Sequence, residues 1–262
     1  MYFFRPIGAI VARAAARLGL TPTAITILGG LIGVLASSLF YDERLGLAAF
    51  ALLVVHSIFD SADGQLARMT GRASEFGRAL DGLAGYVTFG TAYVAISAGF
   101  VARGGSPTIW WWALAAAVCN TLHAQMYDYH RSSYAAIAIK GMATVQSADT
   151  INAGRLGPVL RLYTRLQQHL VGLHDEVERT IARRSRQKSV SDEDRARYRA
   201  IFYWPVRGWN LLGDNTRIYA LGVVAWLGHL DWFYASVLGP MNLAFVGLWI
   251  WQRRADRRFL TL

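Results

Sequence analysis

The sequence predicts an all-α integral membrane protein with six transmembrane helices, preceded by an N-terminal amphipathic helix lying at the interface. Three observations predict it. Of the 262 residues, 54% are hydrophobic and only 17% are charged, against about 25% charged in soluble domains. The charges are clustered, leaving apolar stretches near the ~20 residues a bilayer requires. Lysine and arginine gather in alternate connections, as the positive-inside rule expects.

In chain order, residues 1–20 set Phe3, Phe4, Ile7, Ile10, Val11, Ala14 and Leu18 against Arg5, Arg13 and Arg17. That pattern fits a helix on the membrane surface, ended by Thr21-Pro22. Residues 21–262 then form one membrane domain. Its expected spans are Ala24–Phe40, Leu47–Ala67, Phe76–Val101, Ile109–Tyr127, Ile218–Trp232 and Ser236–Trp251. The fifth is the weakest, being short and interrupted by glycine. A polar cytoplasmic insertion occupies about residues 131–209, and its charge run Arg179–Arg199 reads as a solvated face. Basic residues on alternate connections put both termini in the cytoplasm, in a bacterial or archaeal plasma membrane. The net charge of +10 is then topological, and because it flanks spans it argues against nucleic acid as a partner. The single cysteine, Cys119, forms no intrachain disulfide.

Ionisable groups inside such spans are costly and point to function. Asp60 and Asp63 share a helical face at i, i+3, and Gly64 and Ala67 continue that stripe with small residues. Arg68 follows, with a fork that matches phosphate geometry. Gly77 and Asp81 repeat the theme on the next helix, and a hairpin through Met69–Ser74 brings Asp81 level with the first pair. Buried like charges repel unless a cation lies among them. The three aspartates are therefore expected to hold a divalent metal, Mg2+ or Mn2+, and the metal with Arg68 to take a phosphate.

The spacing resembles the signature of the CDP-alcohol phosphotransferase family, D-x2-D-G-x2-A-R-x8-G-x3-D-x3-D. Asp60, Asp63, Gly64, Ala67, Arg68, Gly77 and Asp81 match its first seven fixed positions. The entry Leu20-Thr21-Pro22-Thr23-Ala24-Ile25-Thr26 looks like the family's opening of the first span. The resemblance implies transfer of a substituted phosphoryl group from a CDP-linked donor to an acceptor, with release of CMP, in phospholipid or polar-headgroup synthesis. It implies a homodimer among membrane lipids. It assigns Gly64, Ala67, Arg68 and Gly77 to the nucleotide.

The eighth position departs from the family: Gly85 stands where an aspartate is taken to be the general base and a ligand of a second metal. Loss of a general base costs about 10² to 10⁴ in rate. Three explanations remain open. His56, one turn before Asp60, serves as base; the acceptor is already an anion; or the chain binds CDP and metal without turnover. Lys140, Arg155 and Arg217 are candidate anion holders for the acceptor, and Asp214-Asn215-Thr216-Arg217 reads as a capped helix start.

Overall fold

The structure is a computed structural model that describes residues 4–143, 171–185 and 189–261. The described residues are helical apart from turns and one isolated bridge, Met142 to Ser189. The chain divides into two compact units: Met1–Cys119 with Asp214–Gly239, and Asn120–Gly213 with Pro240–Leu262.

The first unit begins with α1 (Phe4–Arg17). Its buried residues are Phe4, Gly8, Ala12 and Ala15, a stripe of mostly small side chains that lets α1 lie close on α3. Ala12 and Ala15 join Ile25, Ala62 and Leu66 in one apolar cluster. Ile10 and Leu18 are exposed instead, as are Arg5, Arg13 and Arg17. The apolar face expected from the sequence is thus divided, one side packed on protein and one side bare.

Thr21 starts α2 (Pro22–Ser38), its hydroxyl accepting from the Ala24 amide at 3.2 Å with Pro22 in the first turn. The third helix, α3 (Gly46–Thr70), ends at Gly71, whose φ of 66° is the left-handed conformation that glycine adopts freely. After a short turn Ser74 caps α4 (Glu75–Ala102), accepting from the Gly77 amide at 3.0 Å. These three helices pack through glycine. A Cβ at Gly29 would lie 2.9 Å from that of Phe59, and one at Gly33 would lie 2.4 Å from Thr88 Oγ1 and 2.8 Å from His56 Nδ1. Small residues at such crossings bring backbones together in a membrane.

The fifth helix, α5 (Ile109–Tyr134), leads from the first unit into the second. In the second unit lie α6 (Leu173–Arg184) and α7 (Asp192–Trp209). Their charges are helix-end charges: Arg183 and Arg184 close α6, and Asp192, Glu193 and Asp194 open α7. Arg195 and Arg199 of α7 each donate from Nε to the Ala138 carbonyl at 2.8 Å, covering the end of the α5 extension, the wider helical turn Ala135–Ile139.

Returning to the first unit, α8 (Asp214–Leu227) spans 14 residues and stops before Gly228, at φ 72°. The expected fifth span, Ile218–Trp232, therefore ends earlier, and Trp232 opens the next helix. That run comprises α9 (Trp232–Ser236), a wide turn holding Pro240, and α10 (Asn242–Leu260). Among the described residues, four helical stretches are long and apolar enough to cross a membrane: Pro22–Tyr41, Glu43–Thr70, Glu75–Ala102 and Trp232–Leu260.

Candidate functional site

One cleft in the first unit is lined by Thr26, Gly29, Gly30, His56, Asp60, Asp63, Asp81 and Ala84. The helix positions explain the gathering. On α3, His56, Asp60 and Asp63 fall on one side within two turns. The left-handed Gly71 and the Ser74 cap reverse the chain, so that α4 returns with Asp81 beside them. The Asp81 carboxyl comes within hydrogen-bonding reach of Asp60. Like charges that close repel unless a cation or a shared proton lies between them.

Asp63 is turned another way. It is buried, and its Oδ2 accepts from Thr26 Oγ1 at 2.6 Å. Among the described residues, no three His, Cys, Asp or Glu side chains stand together in a closed metal-binding group. The donor chemistry nevertheless suits a hard divalent ion: three carboxylates from two helices line one cleft.

His56 is also buried, and its Nδ1 lies 2.8 Å from the Gly29 carbonyl. A carbonyl oxygen only accepts, so Nδ1 carries the proton and Nε2 of the neutral ring keeps its lone pair.

Arg68 is exposed, and its guanidinium folds back over Gly64, where a Cβ would lie 3.4 Å from Nη1. Ala67 is half-buried on the same helix, and Gly77 sits in the first turn of α4 under Ser74. Arg217 is 2% exposed and its Nη1 is ion-paired with Asp214 in the same turn. Lys140 is exposed in the second unit, and Arg155 lies outside the described residues. A Cβ at Gly85 would meet nothing within 4 Å.

Sequence reasoning missed Thr26 and the Gly29 carbonyl as site groups. Thr26 closes the Leu20–Thr26 entry motif, so the signal was present without an assigned partner.

The second unit holds a separate buried polar core. His174 Nδ1 pairs with Asp256 Oδ1 at 2.7 Å, and its Nε2 faces Tyr198 Oη at 2.9 Å and Ser133 Oγ at 3.3 Å. Gln252 donates to Asp256 at 3.1 Å and accepts from Trp209 Nε1 at 3.2 Å. Burial opposes charge on His174, but the Asp256 carboxylate, with Glu178 and Asp175 behind it, lifts its pKa above the usual 6.5. His130, whose ring is 5.0 Å from that of His174, is pushed well below 6.5 by burial and by its neighbour. Burial raises Glu178.

Comparison with known proteins bears on this arrangement. The family model described as CDP-alcohol phosphatidyltransferase matches residues 19–166. An archaetidylinositol phosphate synthase of Pyrococcus horikoshii is 45% identical over 71 residues, 27% of this chain and 37% of that protein. A CDP-diacylglycerol–serine O-phosphatidyltransferase of Methanocaldococcus jannaschii is 39% identical over 70 residues, 27% of this chain and 29% of that protein. One of the same name from Mycobacterium leprae is 38% identical over 81 residues, 31% of this chain and 27% of that protein. The matched stretches thus span between about a quarter and two-fifths of these relatives. The family match covers more than half of the chain and contains the whole acidic cleft. The chain belongs to the CDP-alcohol phosphatidyltransferase family.

Proposed function

We propose that this chain transfers a substituted phosphoryl group from a CDP-linked lipid donor to a polar acceptor, releasing CMP, in phospholipid headgroup synthesis. The observation that carries this reading is the single cleft that gathers Asp60, Asp63, Asp81 and His56 within a family match.

The family generally uses a divalent metal. Asp60, Asp63 and Asp81 would hold it, as Mg2+ or Mn2+. When bound, such an ion supplies neutralisation of charge on the pyrophosphate and on the departing CMP. The chain does the rest. Thr26 fixes the rotamer of Asp63. Gly64 and Gly77 leave room for the nucleotide, and Arg68 lies where it can pair with a phosphate. The Gly29 carbonyl accepts from Nδ1 of His56, which leaves Nε2 of the neutral ring as the atom that can accept the proton of an acceptor hydroxyl.

The acceptor is a small polar alcohol. The Pyrococcus relative's name contains inositol phosphate and the other two contain serine. Lys140, Arg155 and Arg217, each taken by itself, are proposed holders for an anionic acceptor. Six spans with both termini cytoplasmic, α1 in the interface and a homodimeric assembly complete the proposal. The exposed Ile10 of α1 and Leu18 just beyond it, beside the exposed arginines, support the interfacial placement.

Gly85 favours a second reading, a homologue that binds CDP and metal without turnover. Incubating purified protein with CDP-diacylglycerol or CDP-archaeol, Mg2+ or Mn2+, and a panel of serine, inositol phosphate and glycerol phosphate separates the two. The proposal expects CMP with at least one acceptor. CDP binding with no CMP from any acceptor supports the silent binder.

A further inference from the structure

We infer that Asp214, at the start of α8, supplies to the acidic cleft the fourth carboxylate that position 85 lacks. The inference rests on the proposed function, because it assigns a further ligand to the same cation-binding cleft.

The face one turn beyond Asp81 is open among the described residues: a Cβ at Gly85 meets none of them within 4 Å. With three carboxylates in place of four, a second divalent ion lacks a ligand from α4. A replacement must come from another helix. The register of α8 on α3 provides one. A Cβ at Gly46 would lie 3.1 Å from that of Ala225, and one at Gly222 would lie 2.7 Å from the Phe50 ring. The numbers rise on one helix as they fall on the other, so the two run antiparallel. Continuing that register sets Asp214 level with Ser57 and Ile58, within a turn of His56 and Asp60. Between Asp214 and Gly222, Tyr219 of α8 stacks on Phe4 of α1 with ring centroids 6.2 Å apart. Asp214 lies within electrostatic range of Asp81, on a different helix.

Its setting suits a ligand. Asp214 is ion-paired with Arg217, which is buried at 2% exposure, whereas the Asp214 side chain is 67% exposed. One side of the carboxylate is thus anchored by its own helix and the rest is open to a further partner. The competing role is simple neutralisation of the buried Arg217. The two roles differ in what they require: neutralisation affects stability, and ligation affects cation affinity.

The test is an Mn2+ titration of the purified full chain with saturating CDP, followed by the electron paramagnetic resonance of free Mn2+. The inference expects Asp214→Asn to weaken or remove the weaker Mn2+ site, by about tenfold or more. Adding Gly85→Asp to that variant restores it, since position 85 has space for the side chain. Unchanged Mn2+ affinity in Asp214→Asn overturns the inference while leaving the cleft's proposed function intact. Absence of Mn2+ and CDP binding in the unsubstituted chain overturns both. If Asp214→Asn fails to fold, Asp214→Glu keeps the charge beside Arg217 and shifts the carboxylate by one methylene. Reduced Mn2+ affinity in that folded variant supports the inference, and native affinity overturns it.

Discussion

Thr26 on α2 donates a 2.6 Å hydrogen bond to Asp63 on α3, across 37 residues of sequence. The bond ties the entry motif of the first apolar helix to the middle carboxylate of the acidic cleft, and it has a direct consequence. Thr26→Val keeps the shape and removes the hydroxyl. A hydrogen bond to a charged group contributes about 1.5–3 kcal/mol, so this variant should unfold at lower temperature and bind Mn2+ more weakly. Thr26→Ser should retain both. Thermal unfolding in detergent and an Mn2+ titration read the outcome, and equal Mn2+ affinity in Thr26→Val would detach Thr26 from the site.

Gly33 and Gly85 make an opposed pair. A Cβ at Gly33 strikes Thr88 and His56, whereas one at Gly85 strikes nothing. Gly33→Ala should cost about 1–3 kcal/mol by overpacking and displace His56. Gly85→Ala should leave the melting temperature within about 2 °C of the native value. The reverse order would contradict the packing of α2, α3 and α4.

His56 offers a kinetic test. If Nε2 takes the acceptor proton, His56→Gln should lower the rate of CMP release by about 10² or more with little change in donor KM. The same rate in His56→Gln would remove it as base.

The polar core of the second unit predicts a stability profile with two limbs. His174 has a raised pKa, so its contribution is fully present below 6.5 and is lost as pH rises through the higher folded value. Glu178 acts in the same direction, its contribution falling as pH rises from 4.5. His130 has a lowered pKa and acts oppositely: the unfolded chain takes up its proton first, so stability falls as pH drops below 6.5. Melting temperatures between about pH 5 and 8 should therefore lose the alkaline limb in Asp256→Asn and the acid limb in His130→Phe. Profiles parallel to the native one would assign the pH dependence to other groups.

Local spacing made the acidic motif legible. Asp60 and Asp63 are one turn apart, and the hairpin between α3 and α4 is short, so Asp81 had little freedom. Partners on α2 were not legible, because a hydrogen bond across 37 residues leaves no local pattern. Glycines 29, 30 and 33 were the available hint of a close helix crossing. The helix boundary at Leu227 was hidden because apolar residues surround the left-handed Gly228. The charge run near Arg195 read as solvated, whereas Arg195 and Arg199 serve carbonyl oxygens at the end of the α5 extension. Asp256 stands among Arg253, Arg254, Arg257 and Arg258, with no local sign that it is buried beside His174, 82 residues away in sequence.

Calorimetric titration of CDP into the purified chain, once with Mn2+ and once with excess chelator, tests the central claim most directly. The account predicts saturable binding that requires Mn2+ and disappears when Asp60, Asp63 and Asp81 are together replaced by asparagine. CDP binding of equal strength in chelator, or in that triple variant, would contradict it.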